Sequence, residues 1–137
     1  MKKTKAVVFL SLSENSIDYI LAAKRTGFVT IGFDSSDDSP GRSIVDSFYK
    51  KSISDASEIV EILCHLERGG TELAGCISEQ TDVGQLTLGH VNSYFSLSGI
   101  QFEIANKIMN KYSQRLTVSK LGINQPNFYL VNNREEA

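Results

Sequence analysis

The 137-residue chain has few of the residues that would place it among unusual protein classes. It contains only two prolines and 41% hydrophobic residues, a composition that excludes a disordered or low-complexity protein. Its two cysteines, Cys64 and Cys76, form neither a CxxC pair nor a zinc-binding spacing. We interpret both as reduced, buried residues of a cytoplasmic protein.

Long hydrophobic runs and a strong net charge are also missing. No stretch approaches the roughly 18 apolar residues that a membrane span needs. The chain begins with basic residues followed by an apolar run at residues 6–10, as a signal peptide does. This run is too short for a signal peptide, so we interpret it as a buried first strand. The net charge of -2 gives no general reason to bind nucleic acid or an anionic membrane, and we expect neither partner.

The sequence lacks a glycine-rich loop for a dinucleotide. The stretch SLSENS follows the first strand pattern, although Asp34 stands where a ribose-binding acid would stand. A receiver domain would need paired acids where Ser13 and Glu14 occur, and an aspartate where Ser78 occurs. Both interpretations are therefore disfavoured, and Asp34 is interpreted as a turn residue.

Strand patterns alternate with helical patterns along most of the chain. The strand patterns are KAVVFLSL, FVTIGF, DSFYKKSI and ELAGCIS. Such alternation predicts an α/β fold with three layers, a mostly parallel sheet of four or five strands, and helices on both faces. The residues expected to be mostly buried are Val7, Val8, Phe9, Ile31, Ile62, Leu63, Leu73, Cys76 and Ile77.

Ligands of parallel α/β folds lie beyond the carboxyl ends of the strands. Asp34, Asp37 and Asp38 follow one predicted strand and could hold Mg²⁺, but their spacing favours a solvated loop. His65 and His90 lie in helical patterns without a partner that would suggest catalysis. We assign no catalytic residue and no metal ligand from these patterns.

The end of the chain has a different charge pattern. Residues 105–133 contain no Asp or Glu, and Lys107, Lys111 and Arg115 are spaced four apart. On spacing alone, these cations would form a solvated face of one helix. Gly122, Pro126 and an apolar run then follow.

In residues 5–131 the sequence resembles the N-terminal, Rossmann-like domain that precedes the nucleotide-binding fold of ATP-grasp ligases. This superfamily includes biotin carboxylase, carbamoyl-phosphate synthetase, D-alanine–D-alanine ligase and the L-amino-acid ligases. The family pattern consists of an Asp-Lys pair, a basic residue, Gly-[Ile/Val]-x-x-Pro and a strand. This sequence matches it, in that order, with Asn110-Lys111, Arg115, Gly122-Ile123 and Pro126. Asn110 replaces the usual Asp, and either side chain can cap the helix that starts at Lys111.

The resemblance implies an enzyme that activates a carboxylate with ATP and Mg²⁺ as an acyl phosphate, which an amine or a thiol then attacks. It implies that Lys111 reaches toward the ATP phosphates and that Arg115 supports it or contacts a substrate carboxylate. It also implies that this domain contributes one wall of the site for the small carboxylate or amine substrate. The candidates on that wall follow from topology: Ser11, Ser13, Glu79 and Thr81.

In the family, the strand after the proline begins the ATP-binding lobes. We therefore expect residues 1–122 to be the pre-ATP-grasp domain and residues 123–137 to be a linker plus the first strand of a following ATP-grasp domain. On this interpretation the chain alone is inactive and holds no cofactor. The alternative is a stand-alone α/β module for binding or dimerisation without catalysis, and a homodimer stays open in both cases.

Overall fold

The computed structural model describes residues 4–79 and 81–135. Its strands are β1 (Thr4–Leu10), β2 (Val29–Asp34), β3 (Ser47–Lys50) and β4 (Thr71–Ser78). Its α-helices are α1 (Ile17–Arg25), α2 (Ala56–Arg68), α3 (Asp82–Tyr94), α4 (Phe102–Met109) and α5 (Lys111–Lys120), and a 3₁₀ turn at Glu14–Ser16 precedes α1. None of the described helices is long and apolar enough to cross a bilayer.

The four strands form one parallel sheet in the order β3-β2-β1-β4. Strand β1 lies between two neighbours and is buried from Ala6 to Leu10, as its continuous apolar sequence predicts. In the pairing of β1 with β4 the register shifts between Ala6 and Val7, which leaves Ala74 as a bulge in β4. The predicted α/β fold with a parallel sheet is confirmed.

Hydrophobic cores cover both faces of the sheet. On one face, Val8 and Phe33 pack with Ile59 and Leu63 of α2 and with Val91 of α3. On the other face, Val7, Phe9 and Leu12 pack with Ile20 of α1. Alternate residues of β1 thus point to opposite layers, which gives the three-layer arrangement.

Most of the residues expected in the core are buried. Val7, Val8, Phe9, Ile31, Leu63 and Leu73 are buried, whereas Ile62, Cys76 and Ile77 are only partly buried. Strand β4 is the outermost strand on its side, so two of these three residues lie next to solvent. Cys64 is also only partly buried, so the prediction that both cysteines are buried is wrong, and neither cysteine forms a disulfide.

The connection between β2 and β3 contains no helix. Residues 35–46 instead form a loop that packs Ile44 and Val45 against the core on the α1 side. Asp46 anchors the end of this loop, because its carboxylate accepts hydrogen bonds from the Thr30 amide and hydroxyl at 2.8 Å each. The Lys24 ammonium donates to the other carboxylate oxygen of Asp46 at 2.7 Å.

Within the described residues, the segment after α5 does not pair as a strand. Residues 123–132 have no regular secondary structure, and Tyr129 is 83% exposed. A strand needs a neighbour to accept and donate its backbone hydrogen bonds, and no described strand pairs with this segment. The boundary at residue 122 and the domain assigned beyond it stay predictions.

Candidate functional site

The loop after β1 has a defined shape at the carboxyl edge of the sheet. Ser11 has a φ of 77°, in the left-handed region that non-glycine residues seldom adopt. The next residue, Leu12, is completely buried, and Gly32 makes room for it: a Cβ at Gly32 would lie 2.8 Å from both Leu12 methyl carbons. Ser13 follows and begins the 3₁₀ turn without a side-chain cap bond.

Asp34 holds this loop in place. One carboxylate oxygen accepts the Leu12 amide at 2.8 Å, and the other accepts the Ser36 amide at 2.9 Å. The bond to Ser36 is the turn that the sequence predicted for Asp34. The bond to Leu12, across 22 residues, was missed, because no local pattern indicates which neighbouring loop a strand-end carboxylate will contact.

The loop after β4 carries the second pair of candidates, Glu79 and Thr81. Thr81 is the N-cap of α3 but makes no side-chain cap bond. Ser78, the last residue of β4, has a buried Oγ without a hydrogen-bond partner among the described residues. It lies against Gly84, where a Cβ would come within 2.2 Å of that oxygen.

The two loops leave the sheet side by side. Leu10 is paired with Ser78 in the register of β1 and β4, so the chain segments that follow begin at the same edge. Ser11 and Ser13 are therefore neighbours of Glu79 and Thr81 in the topology, as expected from the strand order. Two serine hydroxyls, a threonine hydroxyl and a carboxylate can bind a small polar substrate by hydrogen bonds.

Asp34 and Asp37, two of the three aspartates considered as Mg²⁺ ligands, already bind other groups of the protein. Asp37 pairs with Lys50 and, at 3.2 Å, with Arg42. The hydrogen bond from Lys50 is the main reason why the pKa of Asp37 lies below its ordinary value. Among residues 4–79 and 81–135, no group of three His, Cys, Asp or Glu side chains could hold a metal ion.

Lys111 and Arg115 lie together on α5. The helix begins at Lys111 because the Asn110 side chain accepts the Ser113 amide at 2.9 Å, which confirms the predicted cap. Both cations line a shallow cavity of about 280 Å³ whose other lining residues are Tyr112, Phe128 and Tyr129. Cations beside aromatic rings suit the phosphates and base of a nucleotide.

The chain after α5 folds back onto this helix. The Gln125 side-chain amide donates to the Arg115 carbonyl at 2.8 Å, and the rings of Tyr112 and Phe128 meet edge to face at 5.8 Å. No described cavity joins this cation pair to the loops after β1 and β4. We therefore distinguish two groups of candidate residues, the loops after β1 and β4 and the cation pair of α5, and call each a candidate half-site.

His65 and His90 do not line the cavity that contains Lys111 and Arg115. They line an open groove of about 680 Å³ between α2 and α3, together with Cys64, Arg68 and Tyr94. A hydrogen bond with the Cys64 thiol is the main reason why the pKa of Tyr94 is raised. The ring of His90 packs on Phe102 of α4 with centroids 3.9 Å apart, which gives this histidine a packing role.

Comparison with known proteins identifies the fold. No protein-family model and no curated protein matches the chain. Among solved structures, it is similar to phosphoribosylglycinamide synthetase from Anaerococcus prevotii, with 21% identity and a TM-score of 0.79 over 97% of this chain and 33% of that enzyme. The fold is that of a pre-ATP-grasp domain.

Two further structures share the pre-ATP-grasp fold. An ADP complex of N5-carboxyaminoimidazole ribonucleotide synthetase is 20% identical with a TM-score of 0.67, over 98% of this chain and 33% of that one. L-amino acid ligase from Bacillus licheniformis is 19% identical with a TM-score of 0.67, over 92% and 32%. The chain spans about a third of the length of these ATP-grasp enzymes and matches their N-terminal third. At this level of identity, the likeness establishes the fold alone.

Proposed function

We propose that the chain is the substrate-side N-terminal domain of an ATP-dependent ligase that joins a carboxylate to an amine or a thiol. The observation that carries this proposal is the match of nearly the whole chain to one third of enzymes named as synthetases and ligases. One of those enzymes was solved with ADP, which supports ATP as the nucleotide of the parent protein. Residues 123–137 would then lead into the ATP-grasp lobes.

The proposed reaction has two steps. A carboxylate oxygen of the substrate attacks the γ-phosphorus of ATP, the bond to ADP breaks, and an acyl phosphate forms. The amine or thiol then attacks the acyl carbon, the C–O bond to phosphate breaks, and the nucleophile loses its proton. Mg²⁺ would accompany ATP and offset the phosphate charge.

Each half-site has a role in this scheme. Ser11, Ser13, Glu79 and Thr81 would orient the substrate at the carboxyl edge of the sheet through hydrogen bonds. The Lys111 ammonium and the Arg115 guanidinium would contact phosphate, where charge increases in the transition state. The ATP-binding lobes would lie between the two half-sites and join them into one active site. Their absence from this chain would explain why the half-sites are separate.

The proposal also implies a reducing compartment. Two cysteines without a disulfide fit a cytoplasmic enzyme better than a secreted one. Although Cys76 as a whole residue is only partly buried, its side chain packs against the core, and this burial raises the pKa of the thiol well above the ordinary value, which makes it a poor nucleophile. We therefore give Cys76 no catalytic role.

The first test is to read the gene that encodes this chain. A continuing reading frame with a glycine-rich loop, a second lysine and paired Glu and Asn magnesium ligands would support the ligase. A stop codon directly after residue 137 would contradict it and favour a stand-alone binding or dimerisation module. This reading needs no assumption about the substrate.

The second test uses steady-state kinetics of the full-length protein with ATP. Lys111→Ala should lower kcat/KM for ATP about tenfold to hundredfold, the equivalent of a charged hydrogen bond worth roughly 1.5 to 3 kcal/mol. Lys107→Ala is the matched control, because Lys107 lies on α4 and does not line the cavity with Arg115. Equal effects of the two substitutions would remove Lys111 from the nucleotide site.

A further inference from the structure

Ser11 has a strained backbone conformation at the carboxyl edge of β1. Its φ of 77° lies in the left-handed region, which is unfavourable for a residue with a Cβ atom. Such a conformation persists only where surrounding contacts hold it, and strained residues of this kind cluster at ligand-binding sites. The contacts that hold Ser11 in place are therefore candidates for a functional role.

The peptide unit between Ser11 and Leu12 is fixed at both ends. The Ser16 hydroxyl donates to its carbonyl oxygen at 3.0 Å, and the Asp34 carboxylate accepts from its N–H at 2.8 Å. Of these two bonds, the one to Asp34 has a charged acceptor, and charge-assisted hydrogen bonds are roughly twice as strong as those between neutral groups. Asp34 thus provides the stronger of the two restraints.

The neighbouring groups of this loop are bound as well. The Ser11 amide donates to the Phe33 carbonyl at 3.0 Å, and the Gly41 amide donates to the Leu12 carbonyl at 2.8 Å. The Leu12 side chain is completely buried and ties the loop to the core on the α1 side. Because these neighbours are fixed, the loop can change shape mainly by rotation of the peptide unit that Asp34 holds.

The hydroxyl groups of Ser11 and Ser13 are available to a ligand. Both residues are partly exposed, and neither hydroxyl forms a hydrogen bond within residues 4–79 and 81–135. The loop therefore has a bonded backbone and unbonded hydroxyls. A preorganised binding loop needs this combination, because groups that are fixed before binding lose less entropy when the ligand binds.

We propose that Asp34 is a positioning residue for the candidate half-site formed by the loops after β1 and β4. By holding the peptide unit between Ser11 and Leu12, Asp34 keeps the two serine hydroxyls in fixed positions for the substrate. This inference rests on the proposed ligase function, in which these hydroxyls orient the substrate. It gives Asp34 a role beyond the turn with Ser36, since that turn uses the other carboxylate oxygen.

Steady-state kinetics of the full-length protein test the proposal. The probes are the common amino acids, which carry both a carboxylate and an amine, and phosphate release from ATP is the signal. In Asp34→Asn, the side-chain NH₂ group faces one of the two backbone N–H groups, so one of the two hydrogen bonds is lost. We expect KM for the amino acid to rise about tenfold, whereas kcat and KM for ATP should change less than about twofold, because uniform binding is lost.

Three further variants separate positioning from a general loss of stability. Ser16→Ala frees the other end of the same peptide unit and should raise the same KM by a smaller factor. Asp38→Asn, the same chemical change at an exposed aspartate of the following loop, should leave KM unchanged. Leu63→Ala weakens the core on the opposite face of the sheet and should lower only the apparent kcat, because fewer molecules are folded.

Nuclear magnetic resonance of the chain gives a measurement that needs no substrate. In Asp34→Asn, the amide proton signal of Leu12 should move upfield, and this amide should exchange faster with water, because it loses a charged acceptor. The amide signals of α2 and α3 should stay in place. A change that spreads over all helices would show a general structural defect and would overturn the positioning role.

The outcomes distinguish this inference from the ligase proposal. An unshifted Leu12 amide in Asp34→Asn would overturn the inference alone. So would phosphate release that depends on an amino acid but has the same KM in Asp34→Asn as in the unmodified protein. If the unmodified full-length protein releases no phosphate with any amino acid, the ligase function fails for these substrates and the inference fails with it.

Discussion

The sheet region and the C-terminal region of this chain bury their apolar residues to very different degrees. In the sheet region, Phe9, Phe33, Ile59 and Leu63 are completely or almost completely enclosed. In the C-terminal region, α5 has no buried residue, and five apolar side chains are 46% to 83% exposed: Leu121, Ile123, Tyr129, Leu130 and Val131. The sheet region is stabilised by its own contacts, whereas the C-terminal region presents apolar surface that a further segment could cover.

The largest contrast between the two regions should come from shortening one leucine in each. Leu63→Ala removes a fully buried side chain between α2 and the sheet and should lower the free energy of unfolding by about 2 to 5 kcal/mol. Leu130→Ala, at a side chain 55% exposed, should change it by less than about 0.5 kcal/mol. Urea unfolding followed by circular dichroism measures both values, and similar losses would show that the C-terminal region is packed after all.

A smaller effect is expected at the contact between α3 and α4. A Cβ at Gly89 would lie 2.8 Å from the Ala105 Cβ and 2.9 Å from the Phe102 Cα, so Gly89→Ala must move α4. The cost, roughly 1 to 3 kcal/mol, should outweigh the gain of about 1 kcal/mol from replacing glycine in a helix. Gly75→Ala is the control, because nothing lies within 4 Å of its Cβ position. Thermal unfolding that ranks Gly75→Ala as the more harmful change would contradict this packing.

The ion pair of Asp46 should make part of the stability of the sheet region depend on pH. The pKa of Asp46 lies below its ordinary value of 3.8, mainly because Lys24 donates a hydrogen bond to it, with help from Thr30. The ion pair of Asp46 therefore stabilises the fold fully above pH 3.8. This stabilisation is lost as the pH falls through the lowered pKa of Asp46. Because the Lys24 and Asp46 side chains are 36% and 37% exposed, we expect at most about 1 kcal/mol.

Comparing the unmodified chain with Asp46→Asn from pH 7 to pH 2 measures this contribution. The difference in unfolding free energy should be constant near neutral pH and should vanish at the acidic end. Asp38→Asn is the control, because Asp38 forms no ion pair among the described residues. A difference for Asp46→Asn that persists unchanged at low pH would mean that its charge is not what stabilises the loop.

The smallest global effect should come from the cap of α5. Asn110→Ala removes the acceptor for the Ser113 amide and should weaken the helix locally by about 0.5 to 2 kcal/mol. Since α5 buries no residue, amide exchange in α5 should accelerate while the melting temperature of the chain stays almost constant. Asn106→Ala, an exposed asparagine inside α4, should leave exchange in α5 unchanged.

The parts of the fold that were predictable are those with a local cause. Alternating strand and helix patterns predicted the parallel sheet, and the apolar run of β1 predicted its central, buried position. Asn110 was predicted as a cap because capping acts over a few residues. The strand expected after Pro126 stays a prediction, because a strand forms only with a neighbour and the described residues provide none for this segment.

The candidate site was predictable only in outline. Topology placed Ser11 and Thr81 at one edge of the sheet, and the structure confirms that their loops start side by side. It could not indicate that Asp34 would bind the Leu12 amide, since this contact depends on how two distant loops pack. Nor could spacing on α5 indicate that Phe128 and Tyr129 would fold back beside Lys111.

We propose that this chain holds one part of an ATP site that is completed elsewhere in a longer protein. The most direct measurement is calorimetric titration of ATP with Mg²⁺ into the chain alone and into the full-length protein. An exposed cation contributes only on the order of 1 kcal/mol or less, so we predict no measurable binding to the chain and clear binding to the full-length protein. Micromolar binding of ATP to the chain alone would contradict the account, because the nucleotide site would then be complete within these 137 residues.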